Sequence, residues 1–87
     1  MQLAKYVKFR EEKFGGVLFE TRSEKVFTLN PTAAAVVREI AAGGGEREIM
    51  ARMKERFRDP TGAVEREALA FIAELRKREL VVDRAVG

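Results

Sequence analysis

The residue types that most often catalyse reactions or bind metals are missing from this sequence of 87 residues. It contains no cysteine and no histidine. This excludes thiolate nucleophiles, disulfides, iron–sulfur ligation and histidine-based zinc or acid–base chemistry. An enzyme built from the remaining carboxylates, hydroxyls and lysines needs a cleft that so short a chain rarely encloses. We therefore expect a protein that is not an enzyme, with no catalytic residue, no metal site and no cofactor.

Two motifs resemble reactive sites only superficially. Glu11 and Glu12 are adjacent carboxylates at the end of an alternating segment, where neighbouring side chains point to opposite faces. The run Gly43–Gly45 resembles a phosphate loop, but it follows a helical pattern and no lysine–serine or lysine–threonine pair comes after it. We interpret the first motif as a solvated hairpin tip and the second as a helix terminator.

Composition and charge describe a globular chain with a mixed surface. Hydrophobic residues make up 46% and charged residues 36%, and the net charge of +3 arises from 17 basic and 14 acidic residues that are interspersed. No segment approaches the roughly 20 apolar residues that span a bilayer. We expect a cytoplasmic protein that does not bind membranes.

The first third of the sequence predicts three short strands. Apolar residues recur with a period close to two, and the alternating pairs are Val7 and Phe9, Val17 and Phe19, and Phe27 and Leu29. Short turn segments at 12–16 and 22–25 separate the strands. Strands joined in this way pair antiparallel, so we expect a meander with the first and third strands at its edges.

Asn30 and Pro31 are a good N-cap and first position for a helix, and three helices are predicted after them. They cover Thr32 to Ala42, roughly Glu46 to Phe57, and roughly Ala63 to Arg78. Asp59 and Thr61 are alternative caps for the third helix, and 80–82 is an apolar patch expected to fold back onto the core. The predicted fold class is α+β, with residues 1–87 forming a single domain.

The third strand, at the edge of the sheet, is the feature best suited to binding. Its outer side leaves backbone donors and acceptors unpaired unless another element covers them, and an extended peptide can add there as a further strand. The residues concerned are Lys25, Val26, Phe27, Thr28 and Leu29. Leu69, Ala73 and Arg76 form a second flank of the third helix that combines an apolar floor with a cation. The alternative is that this flank completes the core or faces water.

The short loop between the last two helices also suggests the hypothesis of a helix-turn-helix, in which the third helix enters the major groove of DNA. From Val64 to Glu79 this helix has four basic and four acidic residues, whereas a helix that enters a DNA groove needs net positive charge. Moreover, the predicted hairpin precedes the helices instead of following them. We therefore expect no nucleic-acid partner. A winged-helix DNA-binding regulator and a purely structural accessory subunit of an enzyme remain the alternatives.

Three segments together resemble the PqqD family, named after a small factor in pyrroloquinoline quinone biosynthesis. They are Arg10-Glu11-Glu12, Phe14-Gly15-Gly16 and Leu29-Asn30-Pro31-Thr32-Ala33. The resemblance extends over about residues 5–82. One departure is Glu79-Leu80-Val81, where relatives often have glycine at the first position, and a helix without that glycine is expected to end less abruptly.

The resemblance implies a winged helix-turn-helix-like recognition element. Such an element binds the leader of a ribosomally synthesised, post-translationally modified precursor peptide. Its implied partners are that peptide and a modifying enzyme such as a radical S-adenosylmethionine (SAM) maturase. The implied peptide-binding residues are Lys25, Val26, Phe27, Thr28 and Leu29 for backbone pairing, and Leu69, Ile72, Ala73 and Arg76 for side-chain contacts. Monomer and dimer both remain open.

Overall fold

A computed structural model describes residues 1–83 of the chain. The strands are β1 (Gln2–Leu3), β2 (Val7–Glu12), β3 (Gly15–Glu20), β4 (Lys25–Leu29) and β5 (Val81–Val82), and the helices are α1 (Pro31–Ala42), α2 (Glu46–Arg56) and α3 (Ala63–Lys77). A three-stranded sheet has the order β2-β3-β4, and a two-stranded sheet pairs β1 with β5. The predicted α+β class is therefore confirmed.

The three-stranded sheet is an antiparallel meander with β3 at its centre, and one face packs against the helices. Val7, Leu18 and Leu29 are buried on that face. The sequence pattern grouped Val17 with Phe19 as the alternating apolar pair of β3. In the structure Leu18 points inward with 1% of its surface exposed, while Phe19 lies on the opposite face and is 36% exposed.

Gly15 allows the β2–β3 hairpin to pass close to the end of β4. Its φ angle is 143°, a conformation that side chains disfavour. A Cβ atom at this position would lie 2.1 Å from the carbonyl oxygen of Leu29. Glycine is therefore required by both backbone conformation and space.

Helix α1 starts where the sequence predicts and forms the centre of the core. Asn30 Oδ1 accepts a hydrogen bond from the Ala33 amide at 2.8 Å, Pro31 is the first helical residue, and Gly43 ends the helix with a φ angle of 98°. The helix packs against β3, α2 and α3. The largest fully buried side chains are Leu18, Ile40, Ile49, Met53, Ile72, Leu75, Val36 and Val37.

Asp59 and Thr61, the two predicted caps of α3, both contribute. Asp59 Oδ2 accepts a hydrogen bond from the Val64 amide, and Thr61 Oγ1 accepts one from the Ala63 amide, each at 3.2 Å. Asp59 Oδ1 also accepts from the Thr61 hydroxyl at 2.7 Å, which is the main reason that the pKa of Asp59 is lowered. The residue in the N-cap position itself is Gly62.

Helix α3 ends as sharply as it would with glycine. Glu79 adopts a left-handed conformation with a φ angle of 59°. Its amide donates to the Arg76 carbonyl at 3.0 Å, and the Leu80 amide donates to the Leu75 carbonyl at 2.9 Å. These are the two bonds of a Schellman motif, and Leu75 and Leu80 are both buried. The expected gradual ending is thus wrong, because Glu79 takes the conformation that glycine adopts more easily.

The two-stranded sheet was only partly predicted. The apolar patch at 80–82 folds back onto the core as expected, with Leu80 and Val81 buried. It does so by pairing with β1, in the register Gln2 with Val82 and Leu3 with Val81. The N-terminal strand was not predicted, because two residues are too few to show an alternating pattern.

Candidate functional site

The open side of β4 presents the backbone groups of two residues. The amide of Thr21, just after β3, donates at 2.8 Å to the carbonyl of the residue just before β2, so Thr21 directs its backbone groups toward β2. Because the direction of backbone groups alternates along an antiparallel ladder, Leu18 directs its own groups toward β4, where its partner is Phe27. Val26 and Thr28 therefore direct their amides and carbonyls away from β3. The order β2-β3-β4 leaves that side at the edge of the sheet.

Nothing in residues 1–83 covers this edge by hydrogen bonding. Outside the sheet, the backbone hydrogen bonds of the described residues involve neither Val26 nor Thr28. Both residues are exposed, and 58% of the surface of Val26 is accessible. The edge is thus available to a further strand.

One stripe of helix α3 lies beside β4. Glu67 Oε2 accepts a hydrogen bond from Asn30 Nδ2, directly after β4, at 2.8 Å. Arg78 lies eleven residues after Glu67 and caps the C-terminal end of α3. Its guanidinium carbon is 5.2 Å from the centre of the Phe27 ring. The stripe at helical spacing consists of Glu67, Phe71, Glu74 and Arg78. We call the space between this stripe and Phe27 the β4 groove.

The groove combines apolar and charged side chains. Phe27 and Phe71 are partly buried and pack against the core, each leaving some surface exposed. Arg78 Nε donates to Glu74 Oε2 at 2.7 Å, and both side chains of this pair are 47% exposed. Such exposed pairs contribute about 0–1 kcal/mol, so either partner is readily available to another charge.

The helix residues that were expected to contact a peptide lie elsewhere. Ile72 is 1% exposed and belongs to the core. Leu69, Ala73 and Arg76 each follow a groove residue by two positions, which places them roughly 160° around the helix from the groove at 3.6 residues per turn. The structure therefore does not bring this flank together with β4, although all five predicted β4 residues do lie on the edge strand.

Arg76 has a structural role on the far side of α3. Its Nε and Nη2 atoms donate to Asp83 Oδ1 at 2.9 and 2.7 Å, and its Nη1 donates to the Glu46 carboxylate. Hydrogen bonds to Asp83 and Glu46 raise the pKa of Arg76, and the hydrogen bond from Arg76 lowers the pKa of Asp83. This residue ties α3 to the start of α2 and to the segment after β5.

The outer face of the sheet, opposite the helices, carries a small apolar patch. Phe19 and Val26 face each other across β3 and β4 and are 36% and 58% exposed. Lys8 of β2 pairs with Phe19 in the same row, and Arg10 and Val17 lie in the next row. A further strand added at β4 would extend this patch beside Val26.

Within residues 1–83, no group of three or more carboxylates is placed to hold a metal ion. Likewise, none of the described helices has the length and apolar character needed to cross a membrane.

The sequence match to known families is clear. The model for the family of coenzyme PQQ synthesis protein D (PqqD) matches residues 15–81. The chain belongs to the PqqD family. The match runs from the start of β3 to β5, so it includes the edge strand and the groove helix. The resemblance inferred from short sequence segments is confirmed.

Solved structures share the fold of this PqqD-family chain. One is "TbiB1 in Complex with the TbiA(beta) Leader Peptide", with 20% identity, 99% of this chain and 100% of that chain covered, and a TM-score of 0.80. Another is "Lasso peptide synthetase B1 complexed with the leader peptide", with 21% identity, coverages of 93% and 95%, and a TM-score of 0.73. At this level of identity the likeness establishes the fold. No curated protein matches the sequence.

The groove stripe could not be identified from the sequence, because apolar periodicity alone does not show which flank of a helix faces the neighbouring strand. The core residues Ala68, Ile72 and Leu75 are each preceded by a groove residue and followed by a far-flank residue. Both flanks are thus equally close to the core in the sequence pattern. The sequence contains one difference between the flanks. The middle residue of the groove flank is the large aromatic Phe71, whereas the corresponding residue of the far flank is the small Ala73.

Proposed function

We propose that this PqqD-family chain, acting as one recognition domain, binds the leader segment of a ribosomally synthesised precursor peptide by adding it as a strand to β4. The observation that carries the proposal is the open edge, where Val26 and Thr28 direct their backbone groups away from the sheet beside the β4 groove. The leader-peptide complexes of proteins with the same fold support this proposal.

The energetics favour a site with both an edge and a groove. A free leader is disordered, and fixing each of its residues costs about 1–2 kcal/mol of backbone entropy. Each backbone hydrogen bond returns only about 0.5–1.5 kcal/mol net. Burial of an apolar side chain adds roughly 1.5–3 kcal/mol, so Phe27 and Phe71 supply the surface that makes binding favourable.

The chain itself performs no chemistry in this proposal. It holds the leader in the cytoplasm while a separate enzyme, such as a radical SAM maturase, modifies the remainder of the precursor. Binding of this domain to both the leader and the enzyme raises the local concentration of the modifiable segment, without any new contact to that segment.

The test is a titration of isotope-labelled protein with the leader peptide encoded beside its gene. We expect the amide signals of Val26 and Thr28 to shift, together with those of Phe71 and Arg78 on the groove side of α3. Ala73, on the far side of the same helix, serves as the internal control and should shift least.

Shifts confined to α2, or no shifts at all, would contradict binding at this edge. Shifts at Ala73 that exceed those at Phe71 would retain peptide binding but move it to the other flank of α3.

A further inference from the structure

The register of β4 determines which side of an added strand faces the groove. Val26 and Thr28 form the hydrogen-bonded pairs with such a strand, so the peptide residue opposite Phe27 lies in a non-hydrogen-bonded pair. Side chains in these pairs approach each other most closely. Because Phe27 points toward the groove, its opposite residue also points there.

That position favours an aromatic or large apolar side chain. Phe27 and Phe71 are both partly buried aromatic residues bordering the groove, and the Arg78 guanidinium lies over the Phe27 ring. Cross-strand aromatic pairs and cation–π contacts each stabilise such an arrangement. A small or charged residue opposite Phe27 would leave these surfaces unused.

Lys25 defines a second position on the same face. It precedes Phe27 by two residues, is exposed, and within residues 1–83 its side chain makes no ion pair at 4.0 Å or less. Arg78 adds a second positive charge beside Phe27, and its exposed pair with Glu74 is weak. A peptide carboxylate opposite Lys25 would therefore form a favourable cross-strand pair.

The intervening peptide residue lies on the outer face. It is opposite Val26, which is 58% exposed and has the partly exposed Phe19 as its other neighbour in the row. A β-branched apolar residue at this position covers the apolar patch and suits an extended strand.

We propose that the β4 edge selects leader segments in which an aromatic or large apolar residue is followed by a β-branched residue and then by an acidic residue. The order follows from antiparallel addition, the more stable pairing and the one used throughout this sheet. This inference rests on the proposed strand addition and states which leaders the edge accepts.

The test compares two short synthetic peptides of identical composition with the labelled protein. One contains Thr-Phe-Val-Glu at its centre, and the other contains the reversed order Glu-Val-Phe-Thr. We expect the first to bind about threefold to tenfold more tightly, with amide shifts along β4. Equal affinities with β4 shifts would overturn the proposed order and leave strand addition standing.

A charge exchange identifies Lys25 as the partner of the acidic residue. The variant Lys25→Glu should weaken binding of the first peptide about threefold to tenfold, and replacing the peptide glutamate by lysine should restore it. Lys25 lies directly opposite Glu20 of β3, so Lys25→Glu brings two carboxylates into one cross-strand pair and should lower the unfolding temperature slightly. Circular dichroism at the temperature of the titration should still show the folded protein, because Lys25 itself is exposed. Weakening without restoration, or tighter binding of the reversed peptide, would overturn the pattern. Absence of β4 shifts with the first peptide would also overturn the pattern, whereas absence of β4 shifts with the encoded leader would overturn strand addition itself.

Discussion

Replacing Thr28 by proline tests the edge directly. Proline has no amide hydrogen, and its ring occupies the side from which an added strand approaches. Because the Thr28 amide points away from β3, this substitution removes a group that the folded chain leaves free within residues 1–83. The fold should therefore persist while the binding edge is interrupted.

The expected loss follows from the number of groups at the edge. An added strand can use the amide and carbonyl of both Val26 and Thr28, at about 0.5–1.5 kcal/mol net for each bond. Proline removes one donor, and its ring weakens the neighbouring bond by preventing close approach. We expect a total loss of about 1–3 kcal/mol, which is roughly a 5- to 150-fold increase in the dissociation constant.

Phe27→Pro is the matched control, because the Phe27 amide belongs to the ladder with β3. This variant leaves an acceptor of β3 unsatisfied, at about 1–3 kcal/mol, and removes a partly buried aromatic ring. We therefore expect it to destabilise the fold by at least about 2 kcal/mol, whereas Thr28→Pro should cost less than about 1 kcal/mol.

The measurements are fluorescence anisotropy with a dye-labelled leader peptide and unfolding in denaturant. The expected pair of results is weak binding with near-normal stability for Thr28→Pro, and reduced stability for Phe27→Pro. If Thr28→Pro binds the leader normally, β4 is not the docking edge. If Thr28→Pro is the less stable variant, our assignment of the Thr28 amide to the open side of β4, and of the Phe27 amide to the ladder with β3, is wrong.

Two further predictions concern helix α3. Arg78→Ala should weaken leader binding about threefold to tenfold, because it removes a cation and an apolar stem from the groove, whereas Arg76→Ala on the far side should leave affinity unchanged. Titration calorimetry measures the dissociation constants of both variants. A larger effect of Arg76→Ala would favour the other flank of α3 as the binding surface. Glu79→Gly should raise the free energy of unfolding by about 0.5 kcal/mol, because glycine adopts the left-handed conformation without the steric cost. Ala70→Gly, at an exposed position in the middle of the helix, should lower it by about 1 kcal/mol. Equal effects of the two glycines in denaturant unfolding would argue against the observed helix end.

Much of this fold is encoded by local signals. Asn30 and Pro31 specify the start of α1, and the glycines at 43–45 its end, because each residue type has a distinct backbone or capping property. The short turns specify the meander, so the edge position of β4 was predictable. These features depend on neighbours in the chain, which is why the sequence indicates them.

Features that depend on distant contacts were less predictable. The pairing of β1 with β5 joins two residues from each end of the described chain, and neither segment shows a periodic pattern long enough to identify. The flank of α3 that faces β4 depends on how the helix is rotated about its axis when it packs. The sequence places Phe71 and Ala73 symmetrically about Ile72, and only packing distinguishes them.

The limits of β4 explain why side chains should dominate recognition. β4 is five residues long, begins at Lys25 and is followed by Asn30 and Pro31, where the first helical position has no amide to donate. A short edge with a charge at one end and proline after the other is poorly suited to pairing with arbitrary strands, including a second copy of this chain. Within β4 itself, Val26 and Thr28 are the two residues whose backbone groups face an added strand. Two residues cannot offset the ordering of a disordered peptide, so a leader that binds this edge must also fill the groove beside Phe27.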